Sequence, residues 1–387
     1  MIQMKKVKVI TIFGTRPEAV KMAPLVKELE KREEVDSKVC VTAQHREMLD
    51  QVLELFNINP DFDLNIMKAK QSLTGITTRV IEGLEEVFED EKPDLILVHG
   101  DTTTTFAGAL AAFYRQIRVG HVEAGLRTFD KYFPFPEEMN RKLTGAIADM
   151  HFAPTESSKH NLLREAVKEE DIFVTGNTVI DAMNFTVEDN YMFNTEILNK
   201  IDYKNKKVIM VTAHRRENWG EGIENICRAL KNIVDSNEDV ELVYLVHLNP
   251  VVKDVVYKHL DGTPRVHLLP PLDTKETHNL MNKCFMVMTD SGGLQEEAPH
   301  LGKPVLVLRD VTERPEAVNS GTVKLVGTDM DEIVGSANKL IRNQDEYDKM
   351  SKAVNPYGDG NASQRIVDAI LYSFGYRNDK PEGFRIK

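Results

Sequence analysis

Cysteine is scarce in this chain and scattered where it occurs. Cys40, Cys227 and Cys284 are the only three, and none forms a C-x-x-C pair. Each lies in or beside an apolar segment, which favours buried free thiols in a reducing, cytoplasmic compartment over a disulfide framework. Long apolar runs are absent as well. No stretch approaches the ~18 residues that a membrane-spanning helix needs. The N-terminal MIQMKKVKVITIF runs straight into a glycine-containing turn and reads as a first strand, not as a signal peptide. Positive charge is in deficit: 49 Lys and Arg against 61 Asp and Glu give a net charge of −12. That balance argues against a general nucleic-acid surface. Neither half carries G-x-G-x-x-G or G-x-x-x-x-G-K-[ST], and no H-E-x-x-H is found, so NAD, P-loop and zinc-hydrolase readings lack their motifs.

What is present is a repeated β-α rhythm. With 387 residues the chain exceeds a single ordinary core. Apolar β-type runs alternate with helical patterns throughout, which predicts an α/β protein of two parallel sheets with helices on both faces. The first domain is expected over 1–175. Gly176-Asn177-Thr178 reads as the crossing, and a second domain follows over 176–360. The last helix, within 361–387, is expected to pack back on the first domain.

The densest chemistry lies in CFMVMTDSGGLQEEAPHLGKPVLVLRDVTERPEA, residues 284–317. It predicts a buried strand over Cys284–Thr289, a loop at Asp290-Ser291-Gly292-Gly293, a helix over Leu294–Leu301 and a further strand over Pro304–Leu308. The glycines are expected to allow unusual backbone angles. Free N–H groups and the helix dipole at such a start suit a phosphate. Glu297, about one turn in, is placed to accept from ribose hydroxyls, and Arg314 is within reach of a phosphate. The plainer alternative is an ordinary capped β-α turn.

Other strand ends carry similar groups. Gly14-Thr15-Arg16-Pro17 follows the first strand, with Lys21 a turn further on, so two cations stand where α/β proteins bind anions. Asp101 follows the run Asp94–Gly100, Glu123 follows Arg118–Val122, and Glu137 opens a helix behind PFP. Such ends converge on one edge of a parallel sheet. Three carboxylates gathered there should separate in pKa, as acid–base chemistry requires; three independent helix caps are the bland reading. His214, ending the run Lys207–Thr212 and its Ala213, is a candidate donor to a diphosphate.

These pieces, GTRPEAVKMAP, VHGDTTTT, GHVEAGLRT, PFPEEMNR, TGNTVIDA, TAHRREN, VHLNP, TDSGGLQEEAP, RDVTERPE and NPYGDG, together resemble the non-hydrolysing UDP-N-acetylglucosamine 2-epimerases across nearly the whole chain. The resemblance implies two Rossmann-like domains facing across a cleft, of glycosyltransferase-B-like type, the second of them binding UDP. It implies reversible interconversion of UDP-N-acetylglucosamine and UDP-N-acetylmannosamine, by elimination of UDP to 2-acetamidoglucal and re-addition. It implies no redox cofactor and no metal, a homodimer, and supply of N-acetylmannosamine for cell-surface polysaccharides. Arg16, Lys21, His214 and Arg314 would then hold the diphosphate, Ser291, Gly292 and Gly293 would offer backbone donors, and Glu297 would hold the ribose. Asp101, Glu123 and Glu137 would be the acid–base set, with His214 beside them as a catalytic candidate. Some members are activated by their own substrate at a second site. Gln44 and His247 match that site, while Glu47 and Lys70 stand where those members have Gln and Arg. The segment Pro271–His278 departs from the family by lacking an aromatic near the uracil.

Three other readings compete. A hydrolysing epimerase would often be fused to a sugar kinase, for which there is no room. A transferase would need an acceptor groove. A nucleotide-sugar sensor would dispense with the carboxylates.

Overall fold

The computed structural model describes residues 5–43, 46–68 and 71–386, with the backbone alone at 47 and 48. Two all-parallel sheets organise it. The first contains β1 (Val7–Phe13), β2 (Val35–Val41), β3 (Phe62–Asp63), β4 (Leu95–His99), β5 (Arg118–Val122), β6 (Met150–Ala153) and β7 (Ile172–Val174). Its order is β3-β2-β1-β4-β5-β6-β7. The second contains β8 (Lys207–Thr212), β9 (Val240–Leu245), β10 (Val266–Leu269), β11 (Met286–Thr289), β12 (Val305–Val307) and β13 (Val323–Leu325), in the order β10-β9-β8-β11-β12-β13.

The central strands are apolar on both faces because helices cover both. All five residues of β4 are buried, and only Lys8 in β1 is less than buried. A continuous apolar run, not an alternating one, is what a doubly covered parallel strand requires. The helices answer with one-sided stripes. In the helix Glu221–Ser236, Ile223, Ile226, Cys227, Leu230, Ile233 and Val234 are buried against the second sheet's core. Cys40, Cys227 and Cys284 are free and buried, and burial pushes each thiol up to about 12. No described helix is long and apolar enough to cross a membrane.

The chain divides into two compact units. The first takes residues up to Phe185 together with Tyr357–Arg385; the second runs from Thr186 to Pro356. The crossing therefore falls about a helix later than position 176. The helix Thr178–Thr186 starts in the first unit because its Ala182 is buried in that unit's core and its Asp181 accepts from the N–H groups of Ala362 and Ser363, at 3.1 and 2.7 Å. Those two bonds cap the final helix, Ala362–Ser373. Its Ile366, Val367, Ile370 and Leu371 complete the first core.

Each sheet has one place where strand order reverses: between β1 and β4 in the first, between β8 and β11 in the second. Loops leaving the carboxyl ends of such a pair diverge to opposite faces and leave a crevice, the usual place for a ligand in this class of fold.

Candidate functional site

In the first unit, the reversal is built around Gly14 and Glu18. The turn after β1 caps the helix Arg16–Glu30: Thr15 accepts from the Glu18 N–H, and Glu18 Oε2 accepts from the N–H groups of Gly14 and Thr15 at 3.1 and 2.8 Å. Glu18 Oε1 also accepts from the hydroxyls of Thr102 (2.6 Å) and Thr105 (3.2 Å) in the turn after β4. One buried carboxylate thus ties the two turns that flank the crevice. Burial pushes its pKa up, and these hydrogen bonds oppose the shift. Gly14 has no room for a side chain: a Cβ there would sit 1.9 Å from Thr42 Oγ1.

Glu123 directly follows β5 with φ at +62°, a left-handed backbone that costs a non-glycine residue about 1–2 kcal/mol. Its Oε1 accepts from Lys21 Nζ and from Asn177 Nδ2, the latter at 2.9 Å. Its Oε2 lies 3.6 Å from Nε2 of His99, the last residue of β4. His99 is fully enclosed; burial pushes its pKa down to about 4, against the pull of Glu123. His121, on β5, bonds through Nε2 to the Gly100 carbonyl at 2.7 Å, and its burial pushes it down to about 3. Both rings are therefore neutral at pH 7.

Asp101 follows in the same turn. Arg141 Nη2 donates to its Oδ2 at 2.5 Å and Asn140 Nδ2 to its carbonyl at 2.8 Å. Both donors ride on the helix Glu137–Ile147. At the head of that helix Glu138 is wholly buried, accepting from the N–H groups of Thr128 and Phe129 at 3.0 Å each. Its neighbour Glu137 keeps one buried oxygen, Oε2, with no hydrogen-bond partner among the described residues. A buried carboxylate oxygen left this way is costly unless a ligand completes it. Asp101 is thus part of the turn after β4, Glu123 Oε2 lies 3.3 Å from where a Gly100 Cβ would stand, and Glu137 heads the helix whose Asn140 and Arg141 grip Asp101.

In the second unit the reversal is built around Asp290, which was not among the expected site residues. It is fully buried directly after β11. Its Oδ2 accepts from the N–H groups of His214 and Arg215, both at 2.7 Å, and from Asn218 Nδ2 at 3.1 Å. This fixes the loop after β8, including His214, whose Nδ1 stands 3.5 Å from Asp290 Oδ1. Burial pushes the His214 pKa down, with Asp290 opposing. Its ring stacks on His247, with centroids 5.1 Å apart and an 11° tilt. His247 Nδ1 accepts from the Asn249 N–H at 3.1 Å, which leaves Nε2 as the protonated nitrogen of the neutral ring.

The helix expected from Leu294 begins at Gly292 and ends at His300. Gly292 and Gly293 are inside its first turn and neither has a positive φ. Their role is not conformational freedom. A Cβ at Gly292 would meet only ordinary contacts, 3.8 Å from Arg314 Nη2 and 3.9 Å from Arg215 Nη2. Glycine here keeps the N-terminal face of the helix bare, with the Arg314 and Arg215 guanidinium groups and the Glu313 carboxylate, its Oε1 at 3.8 Å, beside it; the helix start and the two cations suit an anion, with Glu313 opposing. Arg314 is steadied by an ion pair from Nε to the buried Glu296, and Arg215 is 3.4 Å from Glu313. Glu297 places Oε1 on the Gly293 side of this helix. Ser291 is the N-cap residue, its N–H bonded to Thr289 Oγ1 at 2.9 Å.

The fold therefore brings Arg16, Lys21, Asp101, Glu123 and Glu137 to the ends of β1, β4 and β5 and the adjoining helix starts. It brings His214, His247, Ser291, Gly292, Gly293, Glu297 and Arg314 to the loops of the second sheet. Gln44 and Lys70 lie outside the described residues. Glu18 was legible as a capping box, Thr-x-x-Glu. Glu138, Arg141 and Asp290 had no signal beyond their neighbours.

Comparison with known proteins covers both units. The family model for UDP-N-acetylglucosamine 2-epimerase matches residues 27–371. A Bacillus subtilis UDP-N-acetylglucosamine 2-epimerase is 60% identical over 381 residues, 98% of this chain and 99% of its own length. Among solved structures, the S. aureus MnaA–UDP structure is 53% identical with a TM-score of 0.87, over 98% of this chain and 100% of that one. The Neisseria meningitidis UDP-GlcNAc 2-epimerase, bound to UDP-GlcNAc, is 53% identical with a TM-score of 0.84, over 94% of this chain and 100% of that one. The chain belongs to the UDP-N-acetylglucosamine 2-epimerase family of isomerases.

Proposed function

We propose that the protein interconverts UDP-N-acetylglucosamine and UDP-N-acetylmannosamine by eliminating and re-adding UDP. The observation that carries this reading is that Asp101 and Glu123 flank the turn after β4 while Glu137 heads the helix that grips Asp101, each in a different setting. The C2 proton has no adjacent ketone to acidify it, so C1–O cleavage must lead. The bonding pair leaves with the UDP oxygen, the C2 proton passes to a carboxylate, and a C1–C2 double bond forms. Return of a proton to the opposite face of C2 and of UDP to C1 completes the inversion. One carboxylate must start ionised and another protonated, so that a proton leaves one face of C2 and returns to the other.

Arg16, Lys21, His214 and Arg314 are proposed to hold the diphosphate, with Ser291, Gly292 and Gly293 supplying backbone donors and Glu297 holding the ribose. Lys21 serves Glu123 as well, since an ammonium has three donors. Activation by substrate at a second site through Gln44, His247 and Lys70 belongs to the same proposal, as do the homodimer, the cytoplasmic location and the supply of N-acetylmannosamine to surface polysaccharides. Hyperbolic kinetics in both directions, with no UDP-GlcNAc requirement in reverse, would contradict the second site.

Elimination is tested by positional isotope exchange. With oxygen-18 in the bridge between C1 and the β-phosphate, free rotation of released UDP should move label into non-bridging positions of recovered substrate. Epimerised product without scrambling would overturn the elimination step. Free N-acetylmannosamine and UDP at early times would place the protein with the hydrolysing enzymes.

A further inference from the structure

The segment Pro271–His278, which lacks the expected aromatic, ends in a histidine with a defined position in the fold. His278 lies on the helix Thr274–Lys283 and is 2% exposed. Its Nδ1 is 2.7 Å from Thr186 Oγ1, and its Nε2 is 3.5 Å from Glu297 Oε2. Its neighbours on the helix are committed to the same segment of chain. Asn279 donates to the Thr186 carbonyl at 2.7 Å and accepts from the Glu188 N–H at 2.9 Å; Glu276 accepts from Thr195 N and Oγ1 at 2.9 and 3.0 Å. Thr186 is thereby held by both its hydroxyl and its carbonyl.

This arrangement fixes a tautomer. A carboxylate only accepts, so the ring nitrogen that serves Glu297 must carry the hydrogen. Nδ1 of the neutral ring is then an acceptor, and Thr186 Oγ1 donates to it. The hydroxyl orients the ring so that Nε2–H faces Glu297 Oε2, as a carbonyl or carboxylate orients the far nitrogen of many functional histidines. At 3.5 Å the contact is longer than a formed hydrogen bond, a common state before a ligand tightens a site. Nε2 thus faces Oε2, while Oε1 lies on the Gly293 side, where the ligand is proposed.

We propose that His278, set by Thr186, is a positioning residue for Glu297 and so determines recognition of the ribose diol of the nucleotide. The inference rests on the reading of Glu297 as the ribose holder. Two substitutions separate its parts. His278→Asn can keep an acceptor near Nδ1 and loses the donor to Glu297; His278→Gln can place an amide N–H near Nε2 and restores it.

The experiment is calorimetric binding of UDP and of 2′,3′-dideoxyuridine diphosphate to the full chain and to both variants, with thermal unfolding as a check on folding. The wild type should prefer UDP. H278N should lose about tenfold or more of its UDP affinity, the order expected for one hydrogen bond to a charged group, with dideoxy-UDP binding unchanged. H278Q should recover most of the preference. Equal weakening of both nucleotides, or no change in either, would overturn the positioning role while leaving Glu297 in place. A wild type that binds both nucleotides equally would overturn the ribose reading of Glu297 and this inference with it. If H278N does not fold, Thr186→Val decides instead: it removes the hydroxyl that sets the ring, so UDP affinity should fall while dideoxy-UDP binding holds, and an unchanged preference for UDP would overturn the positioning role.

Discussion

The residues that matter most here are polar groups held in buried places by specific partners, and their behaviour can be predicted one at a time. Glu123 has an unfavourable backbone angle, an ammonium on one oxygen and a neutral histidine near the other. Glu123→Gln should reduce epimerisation by about 10²–10⁴-fold, the range for loss of a general acid or base. UDP affinity should hold or rise, because Lys21 loses its carboxylate partner; unchanged turnover in a steady-state assay would contradict the assignment. His151, on β6, makes a prediction about pH. Burial pushes its pKa down from the ordinary 6.5 to about 4. Between those values the unfolded chain binds a proton that the folded chain does not, so stability rises with pH across the window and is lost as pH falls through it. His99 and His121 act in the same direction. The buried carboxyls Glu18 and Asp181, whose pKa values are raised, act in the opposite one. His151→Gln removes one histidine from this balance. Its stability deficit against the wild type, measured by denaturant unfolding, should therefore be smaller at pH 5 than at pH 7. An equal or larger deficit at pH 5 would contradict the shift.

At the scale of elements, the proposal places the chemistry on the loops that leave β1, β4, β8 and β11, because the strand order of each sheet reverses there. Gly292→Ala tests this at the start of the helix Gly292–His300. The added Cβ meets nothing closer than 3.8 Å, so thermal stability should be kept. UDP affinity should drop by about tenfold or more if a phosphate must approach this bare face, the order of one lost charged hydrogen bond. Unaltered calorimetric affinity would remove the helix start from the binding site. The elements also show what can be read from a sequence. Strands such as Leu95–His99 read directly, because a doubly covered parallel strand is a continuous apolar run. Phe62–Asp63 does not, since a two-residue edge strand has no run to detect. The Gly-Gly pair does start a helix, but without the expected unusual backbone angles: glycine looks the same in sequence whether it serves φ or leaves a face bare. Glu138 and Asp290 stay hidden because their importance lies in backbone N–H groups brought to them by folding, from ten and from about 75 positions away.

For the molecule as a whole, two units of one architecture each place a polar constellation at the single reversal of their own sheet. The first unit is not contiguous in sequence: it needs the helix Ala362–Ser373 to finish its core. Removing residues from 361 onward would expose the surface that Ile366, Val367, Ile370 and Leu371 bury. At about 1.5–3 kcal/mol for each such side chain, the loss rivals the whole stability of an ordinary domain. The truncated chain should fail to fold, seen as loss of a cooperative thermal transition; a cooperative transition near that of the full chain would contradict this account of the core. The rhythm of strands and helices made the two-domain plan legible, whereas the position of the crossing depended on which core Ala182 enters, a matter of packing. The central claim is proton exchange at C2 by the carboxylates gathered after β4, and its most direct test is NMR of UDP-N-acetylglucosamine with the pure protein in D2O. The account predicts a second UDP-sugar anomeric signal with deuterium at C2 and no free sugar at early times. Tight UDP binding without any exchange at C2 would contradict it and void the roles given to Asp101, Glu123 and Glu137.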